Sequence, residues 1–231
     1  MPVFGGSDTG EHGAIASIHA DGEGRVELVR LFATPTRGRE EGGREVIAVA
    51  LRAQVYLAAP TGWARWLVER PVCGGQGPKR GGTEVAQGDA HGVMRAVLEL
   101  AAASSSCPLP EAVKVGRHQW HAQVGMPTAK EAGIERKALS IREAERLLVM
   151  LVAGGAKLDA LDPCRGYDGL LGGQQKPRSG AADALLLAWL AYRKGRGVPD
   201  GAPLLCIDPA WKPEPKPPRV RARKPVPETM S

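Results

Sequence analysis

Pro2-Val3-Phe4-Gly5-Gly6-Ser7-Asp8-Thr9-Gly10, followed after two residues by Gly13-Ala14-Ile15-Ala16-Ser17-Ile18, decides how this chain folds. A short apolar run closes on an Asp-x-Gly turn, and a second apolar run leaves it. An Asp-Gly turn at 21–22 leads into a third run, Val26 to Phe32. Strand, tight turn, strand, turn, strand is the pattern of an antiparallel meander. Arg37 to Gly43, charged and glycine-rich, read as a loop. Glu45 to Ala59 are good helix formers that end before Pro60, which predicts a helix.

Further along, Trp63 to Val68 form an apolar run closing on Glu69, the signature of a buried strand. Residues 73–82 are a basic, glycine-rich loop, and a helix is predicted from about Thr83 to Ala103. Ala112 to Val115 read as a short strand. Ser140-Ile141-Arg142-Glu143 is a capping-box pattern expected to open a helix, whose Ile141, Ala144, Leu147, Leu148 and Leu151 share one face. Leu158 to Gln175 read as irregular. Gly180 to Lys194 predict a helix apolar nearly all round, hence buried. This order of elements belongs to the α/β class, a mixed sheet with helices on its faces.

Composition bounds the rest. In 231 residues the hydrophobic fraction is 43% but the aromatic fraction only 4%, so the core is built mainly from Ala, Val and Leu. One domain over 1–196 is expected, followed at 197–231 by a Pro- and Lys/Arg-rich tail expected to be disordered. From Lys212 on, six basic residues face two acids, so the tail carries +4 of the net +6. Such a tail attracts phosphate backbones without reading sequence, or simply keeps the chain in solution. The cysteines at 73, 107, 164 and 206 form no CxxC or Cys/His spacing, so no zinc site is expected, and they read as reduced thiols. No apolar run is long enough to span a membrane, and the first residues do not resemble a secretory leader; an intracellular protein is expected.

Three acids stand where acids are costly. Asp8 ends the first strand beside a glycine that leaves room for a ligand, although Asp-x-Gly also makes ordinary turns. Glu69 ends a buried strand, where a charge needs a metal or a partner such as Arg70. Asp183 is the only charged residue between Arg178 and Arg193. A helix-dipole role explains an Asp near a helix start but not surroundings this apolar.

These motifs, in this order, resemble those of the RuvC-like Holliday junction resolvases, nearest to the phage and chloroplast types. Gly6 to Ala16 is similar to their first motif, Val68-Glu69-Arg70 to their second, and Gly180 to Ala188 to their last, Gly-x-Ala-Asp-Ala-Leu-Leu-hydrophobic-Ala. Val115-Gly116-Arg117-His118-Gln119-Trp120-His121 resembles their strand-then-Trp segment, and Lys137 stands in the place of a family Lys. The resemblance implies an RNase H-like fold, a mixed five-stranded sheet with helices on both faces, in which the first and fourth strands run side by side. It implies that Asp8, Glu69 and Asp183 are catalytic and hold two Mg²⁺ or Mn²⁺ ions. The implied activity is a structure-selective endonuclease, a crossover junction endodeoxyribonuclease, acting as a homodimer on branched DNA in recombination and repair. The compartment implied is a bacterial or phage-host cytoplasm, or a chloroplast. The implied DNA contacts are Lys79 and Arg80 in the glycine-rich loop, Arg117, Lys137 and Arg178.

Two positions depart from the pattern. The family's fourth acid falls here on Gly180 or Arg178, with Asp168 a candidate to replace it as a metal ligand, and the Lys after Trp120 is His121. A junction-binding relative without cleavage is therefore the second reading. A sugar-kinase-like ATPase, suggested by Asp8-Thr9-Gly10, is a third, and the chain shows no second phosphate motif for it. His118 and His121 are expected on a partly exposed strand. Trp63, Trp66 and Trp120 are expected to pack, although a tryptophan can also stack on bases.

Overall fold

The computed structural model describes residues 1–9, 13–38, 44–70, 81–114, 119–161 and 179–213. The predicted meander is there: β1 (Val3–Asp8), β2 (Ala14–Ala20) and β3 (Val26–Ala33) are antiparallel neighbours. β4 (Thr36–Gly38) and β5 (Arg44–Val46) form a small separate ribbon. Helix α1 (Ala48–Ala58) follows, then β6 (Arg65–Arg70), α2 (Gly81–Ser105) and β7 (Glu111–Lys114). Two short helices, α3 (Gln119–Gln123) and α4 (Ala129–Ala132), precede α5 (Arg136–Ala153), β8 (Lys157–Leu161) and α6 (Ser179–Gly195).

The main sheet has the order β7-β6-β1-β2-β3-β8. β6 runs parallel to β1 in a register pairing Phe4 with Arg65 and Ser7 with Val68. The class, the mixed sheet and the side-by-side first and fourth strands are as the RNase H-like expectation required. The sheet nevertheless has six strands among the described residues, not five. The sixth, β8, lies where an irregular segment was expected and pairs parallel to β3. Its alternation Lys157-Leu158-Asp159-Ala160 suits an edge strand, and Asp159 pairs with Arg30 at 3.3 Å.

Helices cover both faces. α5 and α6 bury Leu139, Ala144, Leu147, Leu185, Leu186 and Trp189 against one face; α1 and α2 bury Leu51, Val55, Met94 and Leu98 against the other. Trp63, Trp66 and Trp120 all lie in the interior, as expected of packing residues. Two boundaries moved. The helix expected from Glu45 begins at Ala48, because residues 44–46 are taken by the ribbon, where Arg37 pairs with Glu45. The helix expected from Ser140 begins at Arg136, one turn earlier, with Glu135 in the N-cap position. Packing also continues past 196: Val198, Ala202 and Leu204 are buried.

At the centre of the sheet two adjacent glycines face opposite layers, as consecutive strand residues must. A Cβ on Gly5 would overlap the indole ring of Trp66, and a Cβ on Gly6 would overlap backbone atoms of Ala184 and Ala188 in α6. Helix α6 therefore rests directly on the β1 backbone. Replacing Gly6 with Ala forces the two apart, an overpacking change worth about 1–3 kcal/mol, and lowers Tm by about 2–12 °C. Gly92 in α2 has open space around it, so Gly92→Ala gains helix propensity and leaves Tm unchanged or raised. Equal thermal-denaturation midpoints for Gly6→Ala and the parent would contradict this account of the contact.

Candidate metal centre

The ends of two parallel strands and the start of one helix meet at a single point. Asp8 is the last residue of β1, and Glu69 is the last but one of β6. Because Ser7 pairs with Val68 in parallel register, the next residue on each strand emerges at the same sheet edge. The Thr9 hydroxyl donates to the Glu69 carbonyl at 3.1 Å, and the Trp66 indole N–H donates to the Ser7 hydroxyl at 2.8 Å. These bonds tie the two strand ends together.

Asp183 comes from the third element. Gly6 lies under Ala184 and Ala188, and Phe4 lies against Gly195, so α6 runs antiparallel to β1 with its first turns toward Asp8. Asp8, Glu69 and Asp183 each bring one carboxylate oxygen into a group whose members lie within 4.8 Å of one another, all three half-buried.

Crowding three acids into a partly desolvated space raises their proton affinity. Burial pushes the Glu69 carboxyl up to about 9, aided by the charges of Asp8 and Asp183 and by a hydrogen bond with Asp8; Arg136 opposes the shift. Asp183 is pushed up to about 7, again first by burial and then by Asp8. The Ser140 hydroxyl, hydrogen-bonded to its carboxylate, opposes this, as do Arg136 and Lys137. Its Oδ1 is buried and has no hydrogen-bond partner. An all-oxygen, anionic donor set with an orphaned buried oxygen fits a hard divalent cation such as Mg²⁺ or Mn²⁺, which takes oxygen ligands at about 2.0–2.6 Å.

Of the other sequence candidates, Lys137 is exposed at the start of α5, close enough to act on Asp183. Lys79, Arg80, Arg117, His118, Asp168 and Arg178 lie outside the described residues. His121 is buried on the short helix α3, in edge contact with Trp120 at 4.0 Å between ring centres, not on a partly exposed strand. The Glu69 carboxyl feels the charge of Arg136, and the side chain of Arg70 lies outside what is described. Sequence reading missed Arg136 and Ser140. The Ser-x-x-Glu pattern suggested a helix cap, yet Ser140 is buried inside α5 and Glu143 accepts from Arg142 and Arg146, at 2.7 Å from each. The periodicity of Leu139, Ser140, Glu143, Ala144 and Leu147, all buried, is the signal that marks both as inward-facing.

No family model matches this chain, and no curated protein matches it. Among solved structures it is similar to T. thermophilus RuvC in complex with a Holliday junction substrate, at 16% identity and a TM-score of 0.40, covering 86% of this chain and 98% of that one. A second structure of Thermus thermophilus RuvC is similar at 18% identity and a TM-score of 0.39, with the same coverage of 86% and 98%.

The raised carboxyls tie stability to pH. Between the ordinary range near 4 and the folded values of about 7 and about 9, the folded chain keeps protons that the unfolded chain releases. Stability is therefore full below that window and falls as pH rises through it. In EDTA, Tm drops from about pH 5.5 to about pH 8.5, and Glu69→Gln flattens the slope. Mg²⁺ or Mn²⁺ raises Tm, more at the higher pH, because only the folded state gathers the ligands. A parent slope no steeper than that of Glu69→Gln in differential scanning calorimetry would contradict the burial argument.

Proposed function

We propose that this chain is a divalent-metal-dependent endonuclease that cuts four-way or other branched DNA. The observation that carries the reading is the meeting of Asp8, Glu69 and Asp183, three acids drawn from distant parts of the chain, within 4.8 Å of one another. Acids this close and half-buried are costly unless they hold a cation. Their order along the chain and the residues around them are those that resemble the resolvase motifs.

In this reading the three carboxylates hold two Mg²⁺ or Mn²⁺ ions. When bound, such ions lower the pKa of a water that attacks the phosphodiester and neutralise the oxygen that leaves. The β1 and β6 ends set the spacing of Asp8 and Glu69, and α6 closes the third side with Asp183. Arg136 and Lys137, in the first turn of α5, present positive charge to an arriving phosphate. The basic loop with Lys79 and Arg80, together with Arg117 and Arg178, is assigned to the DNA backbone. The packed domain runs past 196 to take in Val198, Ala202 and Leu204, and the basic residues of the tail beyond it add attraction that does not depend on sequence.

The reading predicts that the purified full chain nicks a synthetic four-way junction at symmetric positions with Mg²⁺ or Mn²⁺ and not in EDTA. Asp8→Asn retains junction binding and loses cleavage by at least about 100-fold, since even outer-sphere changes at metal sites cost about 10–100-fold. Junction-selective binding without cleavage by the parent would favour the non-cleaving relative. Gly180, at a position where the resembling family can carry an acid, is the feature that keeps this second reading in play.

A junction has two-fold symmetry, so two matched cuts call for two matched active sites. The reading therefore includes a homodimer, formed through α2. Light scattering should give twice the 24.4 kDa of one chain. A single-chain mass both with and without junction DNA would rule the dimer out.

A further inference from the structure

Behind one of the proposed ligands lies a buried serine. Ser140 is in the second turn of α5, on the buried face that also carries Leu139, Glu143, Ala144, Leu147, Leu148 and Leu151. A serine inside a helix ordinarily turns outward or bonds back to its own helix. Here it is buried on the helix face that packs against α6, and its hydroxyl is hydrogen-bonded to the Asp183 carboxylate. Oδ1 of Asp183 is buried and has no hydrogen-bond partner.

The last torsion of an aspartate is soft, with broad and roughly two-fold preferences. Packing of α6 on β1 fixes where the Asp183 side chain begins but not how its carboxylate plane is rotated. A donor from a second helix, holding one oxygen, removes that freedom. We propose that Ser140 is a positioning residue for the metal centre: by donating to one oxygen of the Asp183 carboxylate it fixes the rotation of the carboxylate plane and presents the other oxygen to the cation. This rests on the metal-site reading above. It assigns Ser140 no contact with DNA or with the reacting atoms.

The test is Mn²⁺ titration of the full-length chain, followed by the electron paramagnetic resonance signal of the free ion, with no DNA present. Ser140→Ala and Ser140→Cys are compared with the parent; Cys nearly keeps the volume but donates weakly. Both variants should bind Mn²⁺ about 10-fold more weakly, the scale on which outer-sphere partners act. Thermal unfolding in EDTA separates folding from positioning. A fall in Tm with unchanged Mn²⁺ affinity in the folded variants overturns the proposal, as does parent-like affinity in Ser140→Cys, the variant that preserves packing if Ser140→Ala does not fold. Failure of the parent to bind Mn²⁺ removes both the metal site and this role. Tight binding by the parent and by both variants removes the role alone.

Discussion

The direct contact between the β1 backbone and helix α6 is the constraint on which the arrangement depends. Gly6 has no side chain, so Ala184 and Ala188 can approach its backbone. A helix resting on a sheet over ordinary side chains stands about 10 Å away; removing the Cβ at the crossing brings it nearer. The neighbouring glycine serves the opposite face, where Gly5 receives the ring of Trp66. Gly6 thus sets how closely α6 approaches the sheet, and Gly5 makes room for the ring of its cross-strand neighbour on β6. Substituting either one disturbs an element that carries a candidate ligand: α6 holds Asp183, and β6 holds Glu69.

That closeness has an electrostatic consequence. α6 is buried over most of its length, so Asp183 is stripped of water by its own helix and by the sheet below. Asp8 and Glu69 arrive on strand ends that hydrogen bonds from Thr9 and Trp66 hold together. None of the three acids can relieve the repulsion by moving away, because each backbone is fixed by packing unrelated to its charge. What remains is to bind protons, which the raised carboxyls of Glu69 and Asp183 express, or to bind a cation. Arg136 supplies partial compensation from the first turn of α5. A rigid frame that concentrates charge in this way costs stability and gains a preformed site, the trade expected where function and folding compete.

Much of this was legible in the sequence, and the misses share a cause. The meander, the buried strand before Glu69 and the apolar last helix each carry a local pattern, and so does the isolation of Asp183 among apolar residues. The convergence of the three acids came from the resemblance, which implied that the first and fourth strands run side by side. Strand β8 escaped because its partner β3 lies more than a hundred residues earlier, and a four-residue alternation is too short a signal to stand alone. Ser140 was misread because Ser-x-x-Glu is a pattern of short range. It matches a helix cap and cannot register that Arg136 to Leu139 already continue the helix toward its start. His121 was placed on a strand because its neighbours resembled one, but it lies on a short helix beside Trp120. In each case a short-range pattern was read without what lay beyond it: a distant partner strand for β8, the preceding turn for Ser140, and the short helix itself for His121.

The far end of α6 shows how such contacts reach the site. Arg193 is buried with its guanidinium donating to the Val124 carbonyl at 2.7 Å and the Ala202 carbonyl at 2.9 Å, and Trp189 donates to the Leu204 carbonyl at 2.7 Å. A buried guanidinium bonded to carbonyls is specific about where those carbonyls lie, because its donors form a rigid planar fork. The segment around 202–204 and the end of α3 are thereby fixed to the last turns of α6, while Gly195 packs on Phe4 at the start of β1. The helix is therefore held at its C-terminal end by Arg193 and Trp189 and at its middle by Gly6. With its middle packed on backbone and its last turns bonded to carbonyls, the helix has little room to shift or turn. Asp183, at the end that faces Asp8 and Glu69, takes its place from contacts that involve no acid, and this is why residues past the compositional boundary at 196 belong to the architecture of the site.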